Sequence, residues 1–200
     1  MTIEINKINV SFEGKYILRD FSLTLPESGV VCIFGPSGCG KTVLFKCLSG
    51  LIKPNSGEIN GLKNKRMSMV FQENRLLPWF DAAENVALVV NDNREQAMAA
   101  LAKMELASEA DKLPAEMSGG MLHRVAIARA LAYNGDILLL DEPTTGLDAE
   151  LAIKVMEILI KSWQGRLILL ITHELALAQK FADIIYTVEG PPLQIKEKSE

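Results

Sequence analysis

No stretch of this 200-residue sequence stays apolar for the roughly 20 residues that a membrane-spanning helix requires. If the protein serves a membrane, another chain is expected to do the crossing. Cysteine is scarce too. The three residues Cys32, Cys39 and Cys47 lie in or beside apolar or glycine-rich segments, at spacings that suit neither a zinc site nor a disulfide framework, so a reducing cytoplasm is the expected setting. An excess of positive charge is also missing: 21 Lys and Arg face 25 Asp and Glu, for a net charge of −4. The longest basic cluster is the "KNKR" of 63–66, expected as a solvated turn. This balance argues against nucleic acid as the main partner, because binding its backbone needs clustered cations. The opening "MTIEINKINV" alternates apolar and polar residues and has no charged segment leading into an apolar run, so it is not a signal peptide. There is no internal repeat and no low-complexity segment.

With 48% apolar and 23% charged residues, the chain can build a proper core. Its length suits one domain with a small subdomain. Ile3, Ile5, Ile8 and Val10 suggest a first strand with a break in phase, and Phe21, Leu23 and Leu25 alternate with Ser22 and Thr24 as a half-buried strand. "VVCIF" (30–34) is a continuous β-prone apolar run, the pattern of a strand buried on both faces. "MSMVF" (67–71), "DILLLD" (136–141), "RLILLIT" (166–172) and "DIIYTV" (183–188) read the same way. Helical segments are expected at about 41–51, 81–90, 93–106, 119–133, 148–163 and 174–182. Asp81 and Glu84 form a capping box for the second of these. Buried strands alternating with helices predict an α/β fold with a mostly parallel sheet, and the early alternating strands predict a separate antiparallel layer. Residues 73–133 hold no strand candidate and are expected to form a helical subdomain inserted into an α/β body of 1–72 and 134–200.

"GPSGCGKT" (35–42) carries the first chemistry. It matches G-x-x-x-x-G-K-[ST] and lies between a buried strand and a helix. Gly35, Gly38 and Gly40 let backbone N–H groups wrap phosphates, Lys41 reaches the β- and γ-phosphates, and the Thr42 hydroxyl meets Mg²⁺. The nucleotide-binding run comprises Gly35, Pro36, Ser37, Gly38, Cys39, Gly40, Lys41, Thr42 and Val43. Asp141 ends an apolar strand, at the sheet edge where nucleotides bind, and is the expected magnesium partner. Glu142 follows and is expected to orient and polarise the attacking water. His173, one of two histidines, also follows a strand and is read as a γ-phosphate contact. Gln72 ends "MSMVF" in the same way. Its amide oxygen suits Mg²⁺ or the water, and it opens the helical insertion as a candidate hinge. A second anion site is expected at Ser118, Gly119 and Gly120, where "MSGGMLHR" opens a helix with free N–H groups and the positive end of the dipole.

The ordered motifs are the lysine loop at 35–42, Gln72, Ser-Gly-Gly at 118–120, "LLLDEP" at 138–143, "GLD" at 146–148 and His173. Together they resemble the nucleotide-binding subunit of an ATP-binding-cassette (ABC) transporter, over nearly the whole chain. The resemblance implies an Mg²⁺-dependent ATPase with ATP as its nucleotide. It makes Ser118, Gly119 and Gly120 the signature motif, which caps the γ-phosphate of the ATP held by a second copy or a homologous subunit. It also implies an adenine-stacking aromatic near the N-terminus, by position Phe12 with Tyr16 as the alternative, and places Asp148 in the segment that crosses the dimer seam. The family usually reads Leu-Ser-Gly-Gly-Gln with a further glutamine before the arginine. Here Met117, Met121 and His123 hold those places.

"ENRLLPWFDAAENVAL" (73–88) resembles importer-type ATPases, especially the nitrate, sulfonate and taurine branch. Leu76, Leu77, Trp79 and Phe80 either pack the insertion or offer a groove to a cytoplasmic helix of a membrane subunit. The resemblance thus implies a peripheral protein on the cytoplasmic face of the membrane. Its partners would be permease subunits and an external solute-binding protein. An exporter ATPase, a soluble cassette ATPase and an ordinary P-loop kinase or GTPase are the alternatives. The charged "KEKSE" reads as a tail, with no regulatory domain expected after it.

Overall fold

The computed structural model describes residues 2–199, which divide into two compact units, residues 2–67 with 164–199 and residues 68–163. In the first unit β1 (Ile3–Phe12) pairs antiparallel with β2 (Lys15–Leu25) and with β4 (Ser56–Asn60), giving a three-stranded layer in the order β2-β1-β4. Glu13 and Gly14 join β1 to β2 with φ of 50° and 77°. Two consecutive left-handed residues match the right-handed twist of a tight hairpin. The phase break in β1 lies at Lys7, whose φ of 44° sits within a register shift between Ile5 and Ile8. The shift restores Ile3, Ile5, Ile8 and Val10 to one buried face.

The second sheet of this unit runs β7 (Leu167–Thr172), β3 (Gly29–Phe34), β8 (Ile184–Glu189), β9 (Gln194–Ser199). The first three are parallel and β9 is antiparallel. Every residue of β7 is buried, as is the centre of β3, so a parallel strand covered on both faces shows continuous apolar sequence instead of alternation. β9 is a correction to the expected charged tail: most of it is an exposed edge strand, whose Lys196, Glu197 and Lys198 reach solvent while its backbone pairs with β8. β4 was likewise unread, because "SGEIN" has one apolar residue and takes its pairing from β1. Two helices complete the unit, α1 (Lys41–Leu48) and α6 (Leu175–Phe181).

The second unit holds neighbouring strands β5 (Met67–Val70) and β6 (Ile137–Asp141), and helices α2 (Ala82–Ala87), α3 (Arg94–Lys103), α4 (Gly119–Tyr133) and α5 (Ala149–Ser162). No strand falls between 73 and 133. The capping box is present: Glu84 N–H donates to Asp81 Oδ1 at 2.6 Å and Asp81 N–H to Glu84 Oε2 at 2.8 Å. β6 is buried throughout. Trp163 closes the unit: it is 1% exposed, and its indole N–H donates to the Gly135 carbonyl at 3.1 Å. Residues 63–66 form the expected exposed turn.

Candidate functional site

The first unit carries the lysine loop. β3 ends at Phe34, residues 35–40 turn, and α1 begins at Lys41. Gly40 is the N-cap at φ 115°, and no side chain caps the helix. The first-turn N–H groups therefore face a potential anion together with the positive end of the dipole. Lys41 is 6% exposed, and its ammonium folds back over the loop, donating to the carbonyls of Gly35 at 2.6 Å and Pro36 at 2.7 Å. A buried cation held by two carbonyls beside an uncapped helix N-terminus is a cradle for a polyanion.

Close packing sets the loop's shape. A Cβ on Gly35 would stand 2.4 Å from the Val188 carbonyl oxygen, and one on Gly40 would crowd Ile17 and Leu193 at 3.1–3.3 Å. Gly38, by contrast, faces open space at φ 79°. Pro36, Ser37 and Gly38 are exposed, Thr42 and Val43 are half-buried and Cys39 is buried. β3 and β7 pair in parallel with Phe34 opposite Thr172, so the lysine loop and His173 leave the sheet at the same edge. His173 is exposed, and the adjacent Glu174 N–H donates to the Thr172 hydroxyl at 3.0 Å, turning the chain there. Phe12 and Tyr16 are 48% and 46% exposed. Arg19 lies over the Tyr16 ring at 5.4 Å.

The second unit carries the other candidates. Asp141 is the last residue of β6 and 2% exposed, and Glu142 follows at φ 52° and 6% exposed. Gln72, just beyond β5, is exposed. Ser118 is the N-cap of α4, its hydroxyl accepting from Met121 N–H at 3.3 Å. That hydroxyl keeps its proton to donate. Ser118 and Gly119 are exposed, and nothing lies within 4 Å of a Cβ on Gly119. A Cβ on Gly120 would stand 3.1 Å from the Gly146 carbonyl, so the turn rests against the "GLD" loop. Asp148 caps α5, accepting from Leu151 N–H at 2.9 Å.

One polar residue and one polar partnership escaped the sequence reading. Asn85 is fully buried in α2: its amide accepts from Leu77 N–H at 2.8 Å and donates to the carbonyls of Leu77, Phe80 and Asp81 at 2.9–3.1 Å. It thereby organises the "LLPWFD" loop, which leaves Trp79 68% exposed and edge-on to a half-buried Phe80. A single asparagine inside "AAENVAL" was the available signal. The second is the partnership of His123 with Asn74 and Pro143. Burial pushes the His123 imidazole below the usual histidine range, and a hydrogen bond to the Pro143 carbonyl acts against this.

Among the described residues no group of three or more His, Cys, Asp or Glu side chains could hold a metal by itself. Mg²⁺ needs no such cage when nucleotide phosphates complete its shell. A lysine-loop cradle at the end of a buried parallel strand, with an aspartate ending a second buried strand, defines a nucleoside-triphosphate-binding protein of the P-loop kind.

The ABC transporter family profile matches residues 18–145. An "Aliphatic sulfonates import ATP-binding protein SsuB 2" of Pseudomonas fluorescens is 37% identical over 198 residues, spanning 94% of this chain and 73% of its own. A "Probable amino-acid ABC transporter ATP-binding protein" of Haemophilus influenzae is 36% identical, spanning 94% and 84%. Among solved structures, the dimeric post-hydrolysis state of the ATP-binding cassette MJ0796 bound to ADP and Pi superposes with a TM-score of 0.89 at 29% identity, covering 99% of this chain and 98% of that one. A dimeric structure of MJ0796, described as a bacterial ABC transporter cassette, gives 0.90 at 28%. The chain belongs to the ABC transporter ATP-binding family. It has the α/β cassette fold and is an ATPase using ATP with Mg²⁺. Among the described residues no helix is long and apolar enough to cross a membrane.

Proposed function

We propose that this chain is the energy-coupling ATPase of an importer, closing head to tail with a second copy around two ATP molecules on the cytoplasmic face of a membrane. The observation that carries the reading is the signature turn. Ser118 and Gly119 are exposed at the start of a 15-residue helix, with no atom over the Gly119 α-carbon. An uncovered helix N-terminus is a half-built anion site, and a second copy's γ-phosphate completes it. In this reading Lys41 and the N–H groups of residues 37–43 hold the phosphates, with Gly35 and Pro36 shaping the loop, while Thr42, Asp141 and the Gln72 oxygen meet Mg²⁺. Glu142 positions the water and His173 contacts the γ-phosphate. Phe12 stacks on adenine, a role favoured over Tyr16 because Arg19 already covers a Tyr16 ring face.

Residues 73–133 serve as the helical subdomain, and exposed Trp79 is the anchor offered to a permease helix. Import is supported by the printed names of the sulfonate relatives. A relative named for amino acids is nearly as similar as one named for sulfonates, which follows if the permease and a solute-binding protein select the solute.

The test mixes Lys41→Ala protein with Ser118→Arg protein. Each alone has two damaged composite sites. In a mixed dimer both lesions fall into one site, and the other joins an intact lysine loop to an intact signature. ATP-dependent dimerisation, read by sedimentation, should partly recover on mixing. Mixtures no better than the separate proteins, despite demonstrated subunit exchange, refute the shared site.

A further inference from the structure

We propose that His123 is a positioning residue that ties the signature helix to both hydrolytic segments, so that the place of Ser118-Gly119-Gly120 sets the place of Glu142 and Gln72. This rests on the roles proposed above for those residues. His123 lies in the second turn of α4 and is 3% exposed. Its Nε2 is 2.7 Å from the carbonyl oxygen of Pro143, the residue after Glu142. A carbonyl only accepts, so Nε2 carries the proton. In the neutral ring that burial favours, Nδ1 is then an acceptor. The Asn74 carboxamide lies against it, with the position assigned to Oδ1 2.9 Å from Nδ1; two acceptors cannot bond, so the amide is exchanged end for end to offer its N–H₂ to the ring, an orientation that the hydrogen-bond pattern decides. Asn74 stands two residues after Gln72.

A second clasp lies further along α4, where the Arg129 guanidinium donates to the backbone carbonyls of Arg75 at 3.0 Å and Asn74 at 3.1 Å. Arg129 holds the 74–75 backbone alone. Of these two α4 side chains, His123 is the one that spans both the 74 segment and the 143 segment. A shift of α4 along either segment therefore breaks a hydrogen bond to a buried ring, or carries that segment with it. None of these groups is placed on a phosphate, so their loss acts on turnover and leaves nucleotide binding intact.

The experiment compares wild type, His123→Leu, His123→Gln, Asn74→Ala and Glu142→Gln in the full chain, measuring kcat, ATP affinity and melting temperature. Leucine matches the ring roughly in size and offers no polar atom. A glutamine amide supplies one donor and one acceptor, the pair a neutral imidazole uses. His123→Leu should lower kcat about tenfold, the rate equivalent of about 1.4 kcal/mol, with ATP affinity within about twofold of wild type. His123→Gln should restore kcat to within about threefold. Asn74→Ala should lower kcat by itself, and on the His123→Leu background should add nothing. If His123→Leu does not fold, Asn74→Ala with His123→Gln carries the same comparison. Wild-type kcat in His123→Leu and in Asn74→Ala, a Gln variant as slow as the Leu variant, or a loss of ATP affinity matching the loss of kcat, would each overturn the tie. Glu142→Gln separates the two failures: if it turns over like wild type, the assignment of the hydrolytic residue has failed, whatever His123 does.

Discussion

The lysine loop tolerates no side chain at Gly35, and the geometry says how much damage one methyl group does. The Cβ of Gly35→Ala would lie 2.4 Å from the Val188 carbonyl oxygen, 2.8 Å from Val188 Cγ2 and 3.2 Å from Val188 C. Real Cβ atoms stay beyond 3.0 Å, so a retreat of about 0.6 Å is forced (3.0 minus 2.4). Val188 cannot supply it. It sits in β8, opposite Ile195 of β9, on a strand whose other edge pairs with β3 up to Phe34. The loop moves instead, and with it a carbonyl that holds the Lys41 ammonium at 2.6 Å. Gly35 is not among the residues at positive φ, so the cost is steric alone, about 1–3 kcal/mol by analogy with overpacked cores. For a 200-residue chain that is a fall in Tm of about 2–12 °C. ATP affinity should fall at least about tenfold, because the phosphate-facing N–H groups shift with the loop.

Gly14→Ala is the matched control. Its φ of 77° strains an alanine by about 1–2 kcal/mol, but nothing lies within 4 Å of the new methyl and the residue belongs to the β1–β2 hairpin. It should lower Tm without changing ATP affinity. Differential scanning calorimetry and titration calorimetry with Mg-ATP give both readouts. A Gly35→Ala protein that melts within about 1 °C of wild type and binds ATP normally refutes the reasoning.

Trp79→Ala with Phe80→Ala should weaken capture by permease subunits more than it weakens ATP binding, since Trp79 stands 68% exposed on a loop that Asn85 holds from behind. A loss of Tm without an assembly defect would make the pair structural. Asn85→Ala should cost about 2–3 kcal/mol by taking the side-chain partner from the Leu77 N–H and the Phe80 carbonyl and one of two donors from the carbonyls of Leu77 and Asp81, read in urea unfolding; an unchanged midpoint would show that the loop holds itself. All three cysteines are buried, and desolvation pushes the Cys47 thiol from 9.0 up to about 11. Native protein at pH 7.5 should therefore resist N-ethylmaleimide at Cys47 while unfolded protein reacts. A thiol pKa raised in the folded state adds stability that is complete below pH 9 and is lost as pH rises toward 11. Fast labelling of Cys47 in the native protein would contradict this.

The geometry of the lysine loop was legible in the sequence because it is local. A lysine loop works through consecutive backbone N–H groups, so "GPSGCGKT" specifies its glycine turns, its lysine and its helix start in eight residues. Buried strands were legible for a related reason: β3, β6 and β7 are buried along nearly all their length, and each shows a near-continuous apolar sequence. The capping box at Asp81 and Glu84 is closed by residues three apart and needs no tertiary partner. Tertiary structure decided what depends on distant partners. β4 and β9 are strands because β1 and β8 offer them backbone groups to pair with, which no periodicity in "SGEIN" or "QIKEKS" announces. Asn85 looks like a minor defect in a small helix until the fold closes a loop of carbonyls around its amide. His123 reads as a replacement for the family's usual glutamine, with no partner named. Only the packed unit brings Asn74 to one ring nitrogen and Pro143 to the other, because those contacts join residues 49 and 20 positions away in the chain.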